Sequence, residues 1–334
     1  MENTKHSTHL ERLLGLTLTL LIVITLGART EAQNNPPCSK DCHGCRAFDP
    51  EAQYPGCLSP AVEMQLQVLN FSTAKLSKAV AAYWFHPSGS PEPPSIKCTG
   101  ALINNTKVDR RPLFLTAYHC IPKSVLHNVA GTLQAQQPSG YEAFWDYVLP
   151  ATLCPNKSQL REEDPSLMTT KTEGATLLYA DPSTDVALLE LLQFPGDPAD
   201  RTFLGWTNSR PQKGAPLFRL SHPYGLPQVL TLHTVVSSMS DRICSEDVKP
   251  TSFLTSSTNN FIGEASSGAP LVNAELQVQG QYWGCCCCPL CEPASNIEIN
   301  FDGAFADSFP HLKQWLDPGN TGATSLPALL PQPP

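Results

Sequence analysis

The sequence predicts an all-β fold, a barrel or a sandwich, on three observations. Short apolar runs recur between clusters of Gly, Pro, Asn and Asp: Ala101 to Ile103, Leu113 to Ala117, Ala175 to Tyr179, Val186 to Leu191, Ala215 to Leu220, Val229 to Val235 and Val278 to Trp283. One segment alone, Phe309 to Leu316, has helical character. The chain has 334 residues, 41% of them apolar, enough for one large all-β unit or two small domains around a buried core.

Taken in order, the chain opens with Lys5 and Arg12 ahead of an apolar run from Leu13 to Leu26, and small residues follow at Gly27, Ala28 and Ala32. That order predicts a secretory signal peptide over residues 1–32, because the run falls short of the roughly 20 residues that span a bilayer. A retained signal anchor is the alternative, and no later stretch is apolar enough to cross a membrane. Asn34 to Cys57 is dense in Cys and Pro without a helical or strand period, which reads as a disulfide-tied loop segment. Ala74 to Tyr83 is expected to start the first regular element. The Pro-rich end, Leu326 to Pro334, is expected to be flexible.

Composition narrows the partners. The formal net charge is -8 and the basic residues are scattered, so no stripe matches a phosphate backbone and nucleic acid is excluded as a partner. Thirteen cysteines in an exported chain are expected to be mostly disulfide-bonded, with the odd count leaving at least one unpaired. Three sequons, at Asn70, Asn104 and Asn156, are candidate glycan acceptors.

Three segments together suggest one catalytic site. Phe114 to Cys120 ends an apolar strand in His119, and the natural partner of the adjoining Cys120 lies upstream at Cys98. Gly263 to Pro270 sets Ser267 among small residues, which lets the backbone turn sharply and bring the amides of Ala265 and Ser267 toward one oxyanion. Ser183 to Leu191 places Asp185 at the mouth of a buried strand, where its carboxylate needs a partner such as an imidazole N–H. Singly each segment has an ordinary reading: a structural histidine, a Ser/Gly/Ala loop, a turn aspartate. In the order His119, Asp185, Ser267 they match the chymotrypsin-like succession of triad residues.

These residues resemble the bacterial lysyl endopeptidases and their relatives, secreted chymotrypsin-like serine proteases. The likeness rests on Cys98 to Thr106, Phe114 to Cys120, Asp185 to Leu191, Gly205-Trp206, His222-Pro223, the serine motif and Trp315 to Pro318. It implies a chymotrypsin-like double β-barrel with a short C-terminal helix, the first barrel over residues 74–197 with His119 and Asp185, the second over 198–318 with Ser267. A Cys-rich segment over 33–73 would precede the barrels and a tail over 319–334 would follow them. It also implies a polypeptide substrate, no cofactor, a Cys98–Cys120 bridge, and a bridge from Cys154 to one of Cys38, Cys42, Cys45 or Cys57. Ser266 stands where activation by a new N-terminus would need an aspartate.

Two departures bear on specificity and rate. Lysine preference in this family comes from an aspartate shortly before a C-terminal Gly, and counting back from Gly303 gives Asn300, with Glu298 or Asp302 as possible substitutes. Ala265 stands where the oxyanion loop usually has Gly, and a positive φ there would meet a Cβ. A catalytically weak homologue acting as an extracellular binding protein is therefore the rival expectation. A soft metal at the Cys285 to Cys291 cluster is a third, set against competing disulfides.

Overall fold

The computed structural model describes residues 53–55, 57–85, 97–126, 140–154, 166–168, 170–237, 251–258, 262–285 and 297–332. They form the two-barrel, chymotrypsin-like architecture expected, mostly strand with few helices. The expected signal segment, most of the Cys-rich segment, Asn156 and nearly all of the Cys285 to Cys291 cluster lie outside the described residues.

The first barrel is built from β1 (Val80–Phe85), β2 (Cys98–Leu102), β3 (Leu113–Ala117), β4 (Tyr141–Trp145), β5 (Thr170–Glu173), β6 (Ala175–Asp181) and β7 (Val186–Leu191). Their order is β5-β4-β1-β2-β3-β7-β6. A single residue, Gly174 at φ 77, separates β5 from β6, so one bent strand pairs with β4 before the corner and with β7 after it. Only glycine takes that φ without strain. The near-continuous apolar run of β7 has a plain cause: Val186 and Leu188 face the inter-barrel core, while Ala187, Leu189 and Leu191 face the barrel interior beside Tyr83, Phe114 and Trp145. Both faces are buried, so alternation of apolar and polar residues disappears.

The second barrel contains β8 (Gly205–Thr207), β9 (Pro216–Ser221), β10 (Val229–Ser237), β11 (Ser252–Thr258), β12 (Pro270–Val272), β13 (Gln277–Cys285), β14 (Ile297–Ala304) and β15 (Ser325–Leu326). The order β12-β9-β10-β11-β14-β13 closes because β12 also pairs with β13, and β8 and β15 extend the edge. Its interior is apolar where Leu217, Val235, Phe253, Leu271 and Ala304 meet. Arg219, Thr231, His233, Thr255 and Asp302 make the rest polar.

Helices are more numerous than the sequence reading allowed. α1 (Pro60–Val68) precedes the segment expected to hold the first regular element, capped by Ser59, whose hydroxyl accepts from the Val62 amide. α2 (Thr73–Ser77), α3 (Lys123–Leu126) and α4 (Phe305–Leu316) follow. α4 starts four residues before the expected Phe309 and packs Phe305, Phe309, Leu312 and Leu316 into the inter-barrel core. No described helix is long and apolar enough to cross a membrane.

The tail corrects an expectation of flexibility. β15 pairs antiparallel with β8, Phe203 bridges Leu329, and the Asn104 side-chain amide donates to the Pro327 carbonyl at 3.3 Å. Asn104, a candidate glycan acceptor, is 4% exposed as a residue, with its side-chain amide engaged in that bond. Asn70 is exposed at a turn and keeps the sequon reading. Disulfides join Cys98 to Cys120 and Cys57 to Cys154.

Candidate active site

The histidine is fixed before any other member of the site. β3 ends at Ala117, a 3-10 turn over Tyr118–Cys120 carries His119, and the Cys98–Cys120 disulfide ties that turn to the start of β2. The Tyr118 amide donates to the Asp185 carbonyl at 2.9 Å, and the His119 amide donates to Asp185 Oδ1 at 3.0 Å. The turn is thereby stitched to the residue that leads into β7.

Asp185 is 2% exposed and sits at φ 54, a left-handed conformation that a short polar side chain tolerates. Its carboxylate faces His119 Nδ1 at 2.8 Å from Oδ2 and 3.1 Å from Oδ1. An ionised carboxylate only accepts, so Nδ1 carries the proton and Nε2 keeps a lone pair. The imidazole itself is 38% exposed and open on its other side. Gln281 on β13 reaches across from the second barrel, and its Nε2 donates to the carbonyls of Thr184 and Asp185 at 3.0 and 3.1 Å.

The serine loop is seated against the same strand end. The Thr99 amide donates to the Ser267 carbonyl at 2.8 Å, and the Gly268 amide donates to the Tyr282 carbonyl at 2.9 Å. A Cβ at Gly268 would lie 2.7 Å from the Ala117 nitrogen, so the residue after Ser267 presses on the backbone two residues before His119. Ser267 is partly exposed, and Ser266 beneath it is fully buried with its hydroxyl donating to Ser221 Oγ at 3.1 Å.

Ala265 takes φ 66, so its Cβ does not prevent the left-handed turn. Its methyl is accommodated in a buried cluster with Ala82, Phe144 and Tyr147. Among the described residues neither the Ala265 nor the Ser267 amide has a hydrogen-bond partner. Two such amides, one at Ser267 and one two residues before it, have the chemistry to hold an oxyanion.

The two residues expected to read the substrate side chain are both fully buried on β14. Asp302 is ion-paired with Arg219, whose guanidinium lies over the Tyr282 ring at 4.7 Å, and Thr255 donates to its other oxygen. Burial pushes Asp302 up to about 6 against the pull of Arg219 and Thr255. Its charge is thus matched inside the barrel by Arg219. Asn300 is two residues away and neutral. No group of residues suited to hold a metal occurs among the described residues.

Sequence reasoning missed Thr99, Gln281 and the turn His222 to Tyr224. Thr99 and His222 lay inside motifs already singled out, Cys98-Thr99-Gly100 and His222-Pro223, but their bonds run to residues distant in the chain.

The model of the family described as lysyl endopeptidase, C-terminal domain, matches residues 71–296. The lysyl endopeptidase of Pseudomonas aeruginosa is 32% identical over 128 residues, 38% of this chain and 24% of that protein, so the chain spans only that fraction of the relative. Among solved structures, the Rv3671c protease from M. tuberculosis in its active form is 14% identical, with 85% of this chain and 93% of that one covered at a TM-score of 0.44. The MamO protease domain from Magnetospirillum magneticum is 15% identical, with 72% and 99% covered at 0.42.

Proposed function

We propose that this chain, which belongs to the lysyl endopeptidase C-terminal domain family, is a secreted serine endopeptidase that cleaves polypeptides through His119, Asp185 and Ser267. The observation that carries the reading is the His119–Asp185 pair: a buried carboxylate holding Nδ1–H at 2.8 Å beside the loop of Ser267.

In this reading Ser267 Oγ attacks the peptide carbonyl and His119 Nε2 takes its proton. The tetrahedral oxyanion is held by the amides of Ala265 and Ser267. His119 then protonates the leaving amine, and water hydrolyses the acyl-enzyme by the same route. Asp185 orients the imidazole and stabilises its positive charge.

The family's lysine preference does not transfer to this chain. Asn300 offers no charge and Asp302 is matched by Arg219, so neither gives an ammonium a partner, and the side chain of Glu298 lies outside the described residues. Export is supported by the amino-terminal charge and apolar order and by the two disulfides.

Labelling of the secreted protein by a fluorophosphonate probe, with casein digestion and cleavage-site sequencing alongside, tests the proposal. Wild type is expected to label and digest, and Ser267→Ala to lose labelling and at least about a thousandfold in kcat/KM. Cleavage sites are expected to show no enrichment of lysine. Wild type that neither labels nor cleaves would leave the binding-protein reading standing.

A further inference from the structure

A left-handed alanine does not hold itself in place. Outside glycine, this backbone region is strained, so the surrounding structure must secure Ala265 at φ 66. Activation by a new N-terminus would need an aspartate before the nucleophile, and Ser266 fills that position. Something else fixes the loop.

Both peptide planes beside Ala265 are clamped. The Tyr224 amide donates to the Glu264 carbonyl at 2.7 Å. In a trans peptide the carbonyl and the next N–H point opposite ways, so this bond directs the Ala265 amide away from Tyr224. On the other side the Thr99 hydroxyl donates to the Ala265 carbonyl at 2.8 Å and accepts from the His222 amide at 3.1 Å. Thr99 also gives its amide to the Ser267 carbonyl at 2.8 Å and takes the Thr116 hydroxyl on its own carbonyl at 2.9 Å. It is 0% exposed. One residue of the first barrel therefore grips the loop of the second barrel on both sides of Ser266.

We infer that Thr99 is the positioning residue of the oxyanion site. Its hydroxyl holds the left-handed Ala265, with the amide aimed at the developing charge, in place of a salt bridge behind the serine. The hydroxyl donates once and accepts once, so a side chain of equal shape without it leaves the Ala265 carbonyl and the His222 amide buried and unpaired. This inference rests on the endopeptidase reading and adds the way its oxyanion loop is held.

The test compares wild type, Thr99→Val, Thr99→Ala and Thr99→Ser on a peptide taken from a wild-type cleavage site in casein, with the aldehyde of that peptide as transition-state analogue. Thr99→Val is expected to lower kcat about 10–100-fold with KM within about twofold, and to weaken the aldehyde in proportion. Thr99→Ser is expected to restore kcat to within about threefold of wild type, which a role in packing alone would not do. Should Thr99→Val fail to fold, Thr99→Ala reads the same loss, because it removes the hydroxyl without adding bulk. Unchanged kcat and aldehyde affinity in folded Thr99→Val or Thr99→Ala, or a serine variant as slow as either, would overturn the inference. A wild type without turnover or labelling would instead sink the endopeptidase reading on which it rests.

Discussion

Gly268 shows how little room the site leaves at a single residue. At φ 80 it lies in the left-handed region, and a Cβ there would stand 2.6 Å from the Thr99 carbonyl oxygen and 2.7 Å from the Ala117 nitrogen. Those are backbone atoms of two central strands, so they cannot yield as a side-chain tip can. Gly268→Ala is therefore expected to cost about 2 kcal/mol or more and to displace Ser267, read as a lower urea midpoint together with a fall in kcat. Ala265 is the instructive contrast, because its Cβ occupies an apolar cluster at φ 66. For Ala265→Gly, release of about 1 kcal/mol of strain is offset by about 0.8 kcal/mol of lost methyl burial and by the added freedom of the unfolded chain. Its unfolding free energy from urea titration should match wild type within about 1 kcal/mol, and a large gain would show that the alanine is more strained than its packing suggests. Gly268 was legible as a small residue at a sharp turn. The hold of Thr99 on Ala265 was not, since the bonds of its hydroxyl join residues 166 and 123 apart and leave no spacing in the sequence.

Elements were legible to the extent that burial stamped a pattern on them. β3 and β7 are buried on both faces and so appear as near-continuous apolar runs, each with one polar residue, and their termini place His119 and Asp185. α1 escaped notice because only Val62 and Leu66 of its nine residues are buried, too few to set a helical period. The tail escaped for another reason: a strand of two residues between prolines cannot show a period of any kind. Its attachments are nevertheless many. Gln277 Nε2 donates to the Leu326 carbonyl at 3.2 Å, Asn104 Nδ2 to Pro327 and Arg110 Nη2 to the Leu330 carbonyl at 3.0 Å, and Gly205 lies directly under the Leu326–Ala328 backbone. Removing residues 319–334 would strip these acceptors and open the β8 edge while leaving the catalytic loops in place. The truncated chain is expected to lose about 2–4 kcal/mol, seen as a lower Tm by calorimetry, with kcat near wild type at a temperature where it stays folded. A Tm unchanged by the truncation would mean that the tail is a passenger.

At the scale of the whole molecule, three buried titratable groups tie stability to pH, and their signs differ. His222 is fully buried against Tyr147, and burial lowers it from 6.5 to about 4 despite its bond to the Leu226 carbonyl. The unfolded chain therefore takes up the proton first, so the contribution of His222 is complete above 6.5 and is lost as pH falls toward 4. His233, held between Thr231 and Thr255, is lowered by burial and by Arg219 and acts in the same direction. Asp302 opposes them. Raised from 3.8 to about 6, it is protonated first in the folded state, so its contribution grows as pH falls through that interval. Two histidines against one carboxyl leave a net loss on acidification. Calorimetry of Ser267→Ala, chosen so that autolysis does not intrude, is expected to show Tm falling steadily from pH 7 to pH 4. The double variant Ser267→Ala/His222→Gln removes one of the two histidine terms, worth roughly 3 kcal/mol across the window at 1.36 kcal/mol per unit. Glutamine keeps a neutral donor for the Leu226 carbonyl, so the double variant should show a visibly shallower decline. Parallel curves for the two proteins would assign the acid sensitivity to groups other than His222.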